Sequence, residues 1–303
     1  MLDAIVQGIL LGGYYAILAS GLSLLFGVAR LINLAHGDLA VLGAYLVLAL
    51  VQRGVDPFVA CVPVLLVMAA LGWFIHKWLF VRTTRGGILL PLLTTFGLSA
   101  ALQNGLHGVF GSDSASLGNS IGSLSWDSFD LPLGISIGKL PALTFAIAIA
   151  VLGTLQLVLS RTRFGRALRA TSQDAEAARL SGIDAERVQC GTAAIAVALA
   201  GLAGVLLAMR ALINPYAGPA ELIYAFEAVV IGGIGSLWGT LIGGIVLGVA
   251  QCIGAALSPQ GFQLAGHLVF LIWLGARFYS AGTGSATRYR MLWRRFLLKW
   301  GWT

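Results

Sequence analysis

Apolar runs long enough to cross a bilayer recur along this chain, beginning with residues 4–26, and short polar segments separate them. A transmembrane helix needs about 20 such residues, whereas a membrane β-barrel alternates apolar and polar side chains in segments of about ten. Leu, Ala, Ile, Val and Gly lie on all sides of each run, so the spans are helical. A content of 58% hydrophobic and 10% charged residues over 303 positions excludes a water-soluble globular domain. The fold expected is an all-α polytopic membrane protein with about eight transmembrane helices plus broken or re-entrant half-helices.

Candidate spans are 4–26, 39–51, 58–79, 88–110, 140–159, 190–213, 222–234, 237–257 and 263–279. Several are too short for an ordinary crossing. The Gly-rich turn Gly232-Gly-Ile-Gly-Ser-Leu-Trp-Gly makes 222–257 a hairpin of two short arms. A second interruption, 27–38, carries Arg30, Asn33, His36 and Asp38 ahead of another short span. Paired, Gly-interrupted short segments point to the translocation pathway of a transporter. With the charged loop 161–189 inside the cell, only Arg53, Lys139 and Arg210 of the 19 basic residues fall outside, as the positive-inside rule requires. The N-terminus is then outside and the C-terminus cytoplasmic. The start lacks a basic n-region, so the first span is expected to be retained.

Residues 1–280 read as one transmembrane domain, with the Ser-, Gly- and Asp-rich segment 111–139 as an external lid or docking surface. Residues 281–303 place Tyr289, Leu292, Trp293, Phe296 and Trp300 on one stripe beside Arg290, Arg294 and Arg295. Such a basic amphipathic helix lies in the inner-leaflet headgroups. The net charge of +7 follows from this topology and implies no nucleic acid.

Asp38 and Glu227 are the carboxylates read as nearest the membrane interior, where a charge costs about 2.5–3.5 kcal/mol on insertion scales. Either they line a polar pathway or they cap broken helices by accepting freed backbone N–H bonds. His36 is either a proton relay or a hydrogen-bonded structural residue. Thr94, Thr95, Gln103 and Asn104 serve either helix packing or the pathway. In the loop, Thr171 or Ser172 can cap a helix of about ten residues, roughly 15 Å long, that ends at Gly182. Small Ala175, Ala177 and Ala178 leave that rod thin enough for a partner's groove.

No G-x-x-x-x-G-K-[ST] run is present, so the chain itself does not hydrolyse ATP. The four His show no H-E-x-x-H spacing, no G-x-S-x-G elbow occurs, and Cys61, Cys190 and Cys252 stand singly. These patterns give no sign of an enzyme or a metal site.

Glu176-Ala-Ala-Arg-Leu-Ser-Gly182 resembles the E-A-A-x-x-x-G coupling loop of ABC importer permeases. Blocks 26–45, 165–174 and 225–240 extend the likeness, and together they resemble the branched-chain amino acid ABC importer permease family over roughly residues 1–275. That resemblance implies an inner-membrane subunit pairing with a second permease, two cytoplasmic ATPases and a periplasmic or lipid-anchored binding protein. ATP and Mg would be used by the ATPases, with no cofactor in this chain. It implies ATPase coupling through Asp174, Glu176, Ala177, Ala178, Arg179 and Gly182. It implies a pathway near Asn33, His36, Gly37, Asp38, Thr94, Thr95, Glu227, Gly232, Gly233 and Gly235. The chain departs from the family at its end, where Gly275-Ala-Arg-Phe-Tyr-Ser and the basic tail replace a short Arg-Pro-x-Gly-Leu-Phe-Gly-like finish. Relatives of this architecture carry amino acids, urea, short amides or small carboxylates. An ion-coupled secondary transporter and a passive channel are the rivals from other classes.

Overall fold

The structure is a computed structural model that describes residues 1–29, 31–83, 89–131 and 135–282. The tail 283–303, and with it the amphipathic stripe, lies outside the described residues, as do Arg30 and Arg85. Twelve α-helices run in the order α1 Leu2–Ala29, α2 His36–Val51, α3 Pro57–Ile75, α4 Val81–Thr83, α5 Leu89–Phe110, α6 Lys139–Arg161, α7 Arg163–Gln173, α8 Ala175–Leu180, α9 Ala185–Arg210, α10 Gly218–Gly232, α11 Leu237–Leu257 and α12 Gly261–Gly282. One π turn, His76–Phe80, joins α3 to α4 into a single rod. Among the described residues, six helices are long and apolar enough to span a membrane: Leu2–Ala29, Pro57–Thr83, Lys139–Arg161, Ala185–Arg210, Leu237–Leu257 and Gly261–Tyr279. The protein is thus an all-α polytopic membrane protein, with α2 and α10 as the shorter pieces.

α1 is apolar all round and is the central post, since every residue from Leu11 to Leu25 is buried. It lies against α11 with almost no side chain between them. A β-carbon on Gly12 would come within 2.5 Å of the Ile245 Cα, and one on Gly244 within 2.6 Å of the Gly12 carbonyl oxygen. Such backbone approach is open only to glycine and gains dispersion contact in lipid, where apolar burial itself gains little. The other side of α1 packs on α9, α6 and α10.

The two ends of the bundle differ. At the end holding the N-terminus, Gln7 donates to the carbonyl of Ser136 at 2.6 Å. Within segment 111–139, a 3₁₀ helix, Gly118–Ser125, and the antiparallel strands β1 Ser128–Leu131 and β2 Ile135–Gly138 lie there, a small exception to an all-helical reading. Lys139 closes this unit on Asp127 at 2.8 Å, and its ammonium holds the Asp127 carboxyl below the usual carboxylate range. At the opposite end lie α7, α8 and the α10–α11 turn, with the Gly235 N–H donating to Ser23 Oγ at 2.9 Å.

Candidate functional site

α2 and α10 have 16 and 15 residues, or about 24 and 22 Å at 1.5 Å per residue, short of a hydrocarbon core of about 30 Å. Their N-terminal ends meet. A β-carbon on Gly37 would overlap the Gly218 carbonyl oxygen, and one on Gly218 would overlap Asp38 Oδ1. Asp38 is in the first turn of α2 and beside the first turn of α10, so the positive ends of two helix dipoles converge on one carboxylate. Both of its oxygens also accept from α5: Ser99 Oγ donates at 2.6 Å and Gln103 Nε2 at 2.9 Å. Asp38 is 1% exposed, so this junction is sealed.

The helix begins at His36 rather than Leu39, so His36, Gly37 and Asp38 form its first turn instead of lying in the interruption. His36 Nε2 lies 2.9 Å from the carbonyl oxygen of Leu18, well inside α1. Residues 31–35 therefore turn back along α1 before α2 starts. Asn33 closes that turn, its Oδ1 accepting from Ala35 N–H at 3.1 Å. Thr94 and Thr95 turn their hydroxyls back to Leu90 and Leu92 of their own helix, as packed intramembrane threonines do. Asp38 is held by side chains of α5, and Glu227 by His267 Nδ1 of α12 at 2.6 Å. Glu227 Oε2 and His36 Nδ1 are buried without a partner among the described residues.

A second polar cluster escaped the sequence reading. Tyr14 donates to Glu221 Oε2 at 2.7 Å, with the Arg210 guanidinium 4.6 Å from the Tyr14 ring centroid. Tyr15 donates to Gln251 Oε1 at 2.6 Å, its ring 5.5 Å from that of Tyr224, which stacks on His267 at 6.2 Å. Glu221 was legible in principle: it and Glu227 stand six positions apart and bracket Tyr224, so one stripe of α10 carries all three. The Gly-rich turn serves geometry. Gly232 abuts Gly239 across the hairpin, while Gly233 and Gly235 take φ of 92° and 82°, which side chains disfavour.

The charged loop differs from the single rod expected. Asp174, not Thr171 or Ser172, caps the helix that ends before Gly182, α8, through Glu176 and Ala177 N–H at 2.9 and 3.0 Å, while Thr171 and Ser172 lie in the last turn of a separate α7 capped by Thr162. The two breaks follow from side chains that accept backbone N–H bonds better than they continue a helix. α8 is a six-residue turn, about 9 Å long. It ends as foreseen at Gly182, φ 81°, where Gly182 N–H meets the Arg179 carbonyl and Ile183 N–H the Ala178 carbonyl, both at 3.0 Å. Ala178 is buried against α9 and is no part of the outer face, whereas Asp174, Glu176, Ala177, Arg179 and Gly182 are exposed and Leu180 is 89% exposed.

The family described as branched-chain amino acid transport system, permease component, matches residues 4–275. The chain belongs to this family. It is 33% identical over 276 residues to the high-affinity branched-chain amino acid transport system permease protein BraD of Pseudomonas aeruginosa, covering 86% of this chain and 89% of the relative. Against LivH of Escherichia coli it is 32% identical over 272 residues, covering 86% and 88%. The permease protein LivM of the same bacterium is more distant, 26% identical over 281 residues, covering 85% and 65%. No solved structure matches significantly. On this permease-family member, the block 26–45 spans the turn between α1 and α2, 165–174 lies on α7, and 225–240 is the α10–α11 hairpin.

The geometry at Asp38 makes a prediction. Asp38→Ala leaves Ser99 and Gln103 without their acceptor, and each buried unsatisfied donor costs about 1–3 kcal/mol. The purified variant is expected to melt several degrees lower, with Asp38→Asn between it and the wild type, because an amide retains one acceptor oxygen. Equal melting temperatures for all three would show that α5 does not depend on this carboxylate.

Proposed function

We propose that this chain is the membrane-spanning permease subunit of an ATP-driven importer carrying branched-chain or related small amino acids across the bacterial inner membrane. The observation that carries this reading is similarity to BraD and LivH over 86% of this chain and 89% and 88% of theirs. On this view the chain is a transport subunit rather than an enzyme, and ATP and Mg act in two partner ATPases. Its likeness to both LivH and LivM supports a second, related permease as its neighbour. A periplasmic binding protein delivers substrate to the face bearing the 111–139 unit, the outer face if the basic loop end is cytoplasmic.

The mechanism suited to this geometry is rigid-body switching. α2 and α10 are locked head to head at Gly37, Asp38 and Gly218, so they move as one body. Asp38 already meets the positive ends of both helices, so it acts as the pin of that body and leaves substrate to the groups around it. ATP-driven closure of the ATPases pulls on α8, and α7 passes the motion to the α1 end and the hairpin turn.

The test is uptake by proteoliposomes holding the permease pair, the ATPases and the binding protein. Leucine, isoleucine and valine are expected to accumulate against a gradient only with ATP. Uptake driven by a proton gradient without ATPases would support an ion-coupled carrier instead. Transport of urea or an amide in preference to leucine would shift the substrate within the same architecture.

A further inference from the structure

A cleft of about 420 Å³ opens between the end of α1, α7 and the α10–α11 turn, within the roughly 300–1,000 Å³ usual for small-molecule sites. Its walls are Leu24 and Val28 of α1, Leu168 of α7 and Ile234 of the turn, with Arg169 and Ser172 on its rim. Arg169 donates from one guanidinium nitrogen to the Leu159 carbonyl, which fixes the group's direction and leaves further N–H donors for an anion. The last turn of α1 also borders the cleft. The final carbonyls of a helix lack intrahelical donors and carry its negative dipole end, an environment that favours a cation.

Among the described lining residues, one cation, one negative helix end and branched aliphatic walls match the three parts of a branched-chain amino acid zwitterion. We infer that this cleft binds the imported amino acid from the side bearing α7 and α8 and slows further import, an assignment that rests on the transport reading above. The carboxylate pairs with Arg169, the ammonium lies at the end of α1, and the alkyl group fills the space between Leu24, Leu168 and Ile234. α7 lies directly beside α8, so a pull on α8 would move the α7 wall relative to the α1 end and the turn, which Gly235 N–H and Ser23 Oγ join. A ligand favouring one arrangement draws the population toward it and lowers the turnover rate.

Proteoliposomes of the complete complex, preloaded with leucine or left empty, test this. Preloaded leucine is expected to reduce the initial uptake rate about threefold or more. Leucinamide, lacking the carboxylate, and 4-methylpentanoate, lacking the ammonium, are expected to inhibit far less. Arg169→Gln removes the cation and Ser172→Leu narrows the rim. In either variant the inhibiting leucine concentration should rise about tenfold to a hundredfold, the scale of a lost charged hydrogen bond. Uptake into empty vesicles should stay within about twofold of wild type, which separates a lost regulatory site from a damaged transporter. Wild-type uptake that ignores internal leucine, or inhibition that persists unchanged in both variants, would overturn the assignment while leaving the transport reading intact. Inhibition matched by 4-methylpentanoate would point to a general anion or lipid headgroup site and would equally refute it. Absence of any leucine uptake would remove the transport reading and this proposal with it.

Discussion

Gly218→Val is expected to remove folded permease from the membrane, the largest single-residue effect the structure foretells. A β-carbon there overlaps Asp38 Oδ1 and comes within 2.7 Å of the Asp38 backbone nitrogen, so no rotamer relieves it. Moving α10 away instead breaks its backbone contact with Gly37 and draws Asp38 from the first turn of α10. Overpacking alone costs about 1–3 kcal/mol, and drawing Asp38 out of the positive end of α10 adds about 0.3–2 kcal/mol. Together these are a large part of the about 5–15 kcal/mol that holds a domain folded. The measurement is the monodisperse fraction in detergent, with uptake in vesicles alongside. Gly153→Ala supplies the control, because a β-carbon on Gly153 of α6 meets nothing within 4 Å. Wild-type yield and uptake from Gly218→Val would mean that the two half-helices are not locked, and the single-body mechanism would fall.

The second large effect is functional rather than structural. Gly182→Pro is expected to reduce ATP-driven uptake more than tenfold while the helix bundle still assembles. Proline fixes φ at about −65°, against the 81° found at this position, and removes the N–H that meets the Arg179 carbonyl. α8 then loses its C-terminal stop, whereas Gly182 itself is exposed and a β-carbon there meets nothing within 4 Å. A graded series sharpens the test: Gly182→Asn should retain most uptake, Gly182→Ala less, since a left-handed backbone costs about 1–2 kcal/mol for an ordinary residue. Deleting residues 176–181 should act as the proline does. ATP hydrolysis by the assembled complex is expected to continue in both severe variants, uncoupled from uptake. Full uptake by the deletion would falsify the coupling role of α8.

Most of the bundle was legible because insertion into lipid leaves few choices. Runs near twenty residues became single helices, and the Gly-rich sequence after Ile231 became the hairpin turn it spelled, since only glycine readily takes the φ found at 233 and 235. Helix starts in polar sequence were harder. His36 and Asp38 looked like parts of a break, yet they open α2 because partners on α1 and α5, remote in the chain, satisfy them. The coupling loop failed by a different route: Thr171 or Ser172 was the cap expected, yet Asp174 just beyond them is the one that caps, and local propensity does not rank the three. The Tyr14–Glu221 and Tyr15–Gln251 bonds join residues 207 and 236 positions apart, a pairing no local pattern reveals. Glu221 lies one residue before the expected span 222–234 and so fell outside it.

The pairing of α1 with α11 bears on how the cell can make this protein. α1 is synthesised well before its closest partner, α11, so Gly8 and Gly12 must wait in lipid until Gly244 and Gly248 arrive. Tyr14 and Tyr15 wait too, their hydroxyls unpaired until α10 and α11 insert. Any chain that stops short of Leu237 therefore exposes an unsated polar groove along its oldest helix. A membrane protease or holdase that recognises such grooves would clear stalled products, while completed chains conceal the signal in the act of closing.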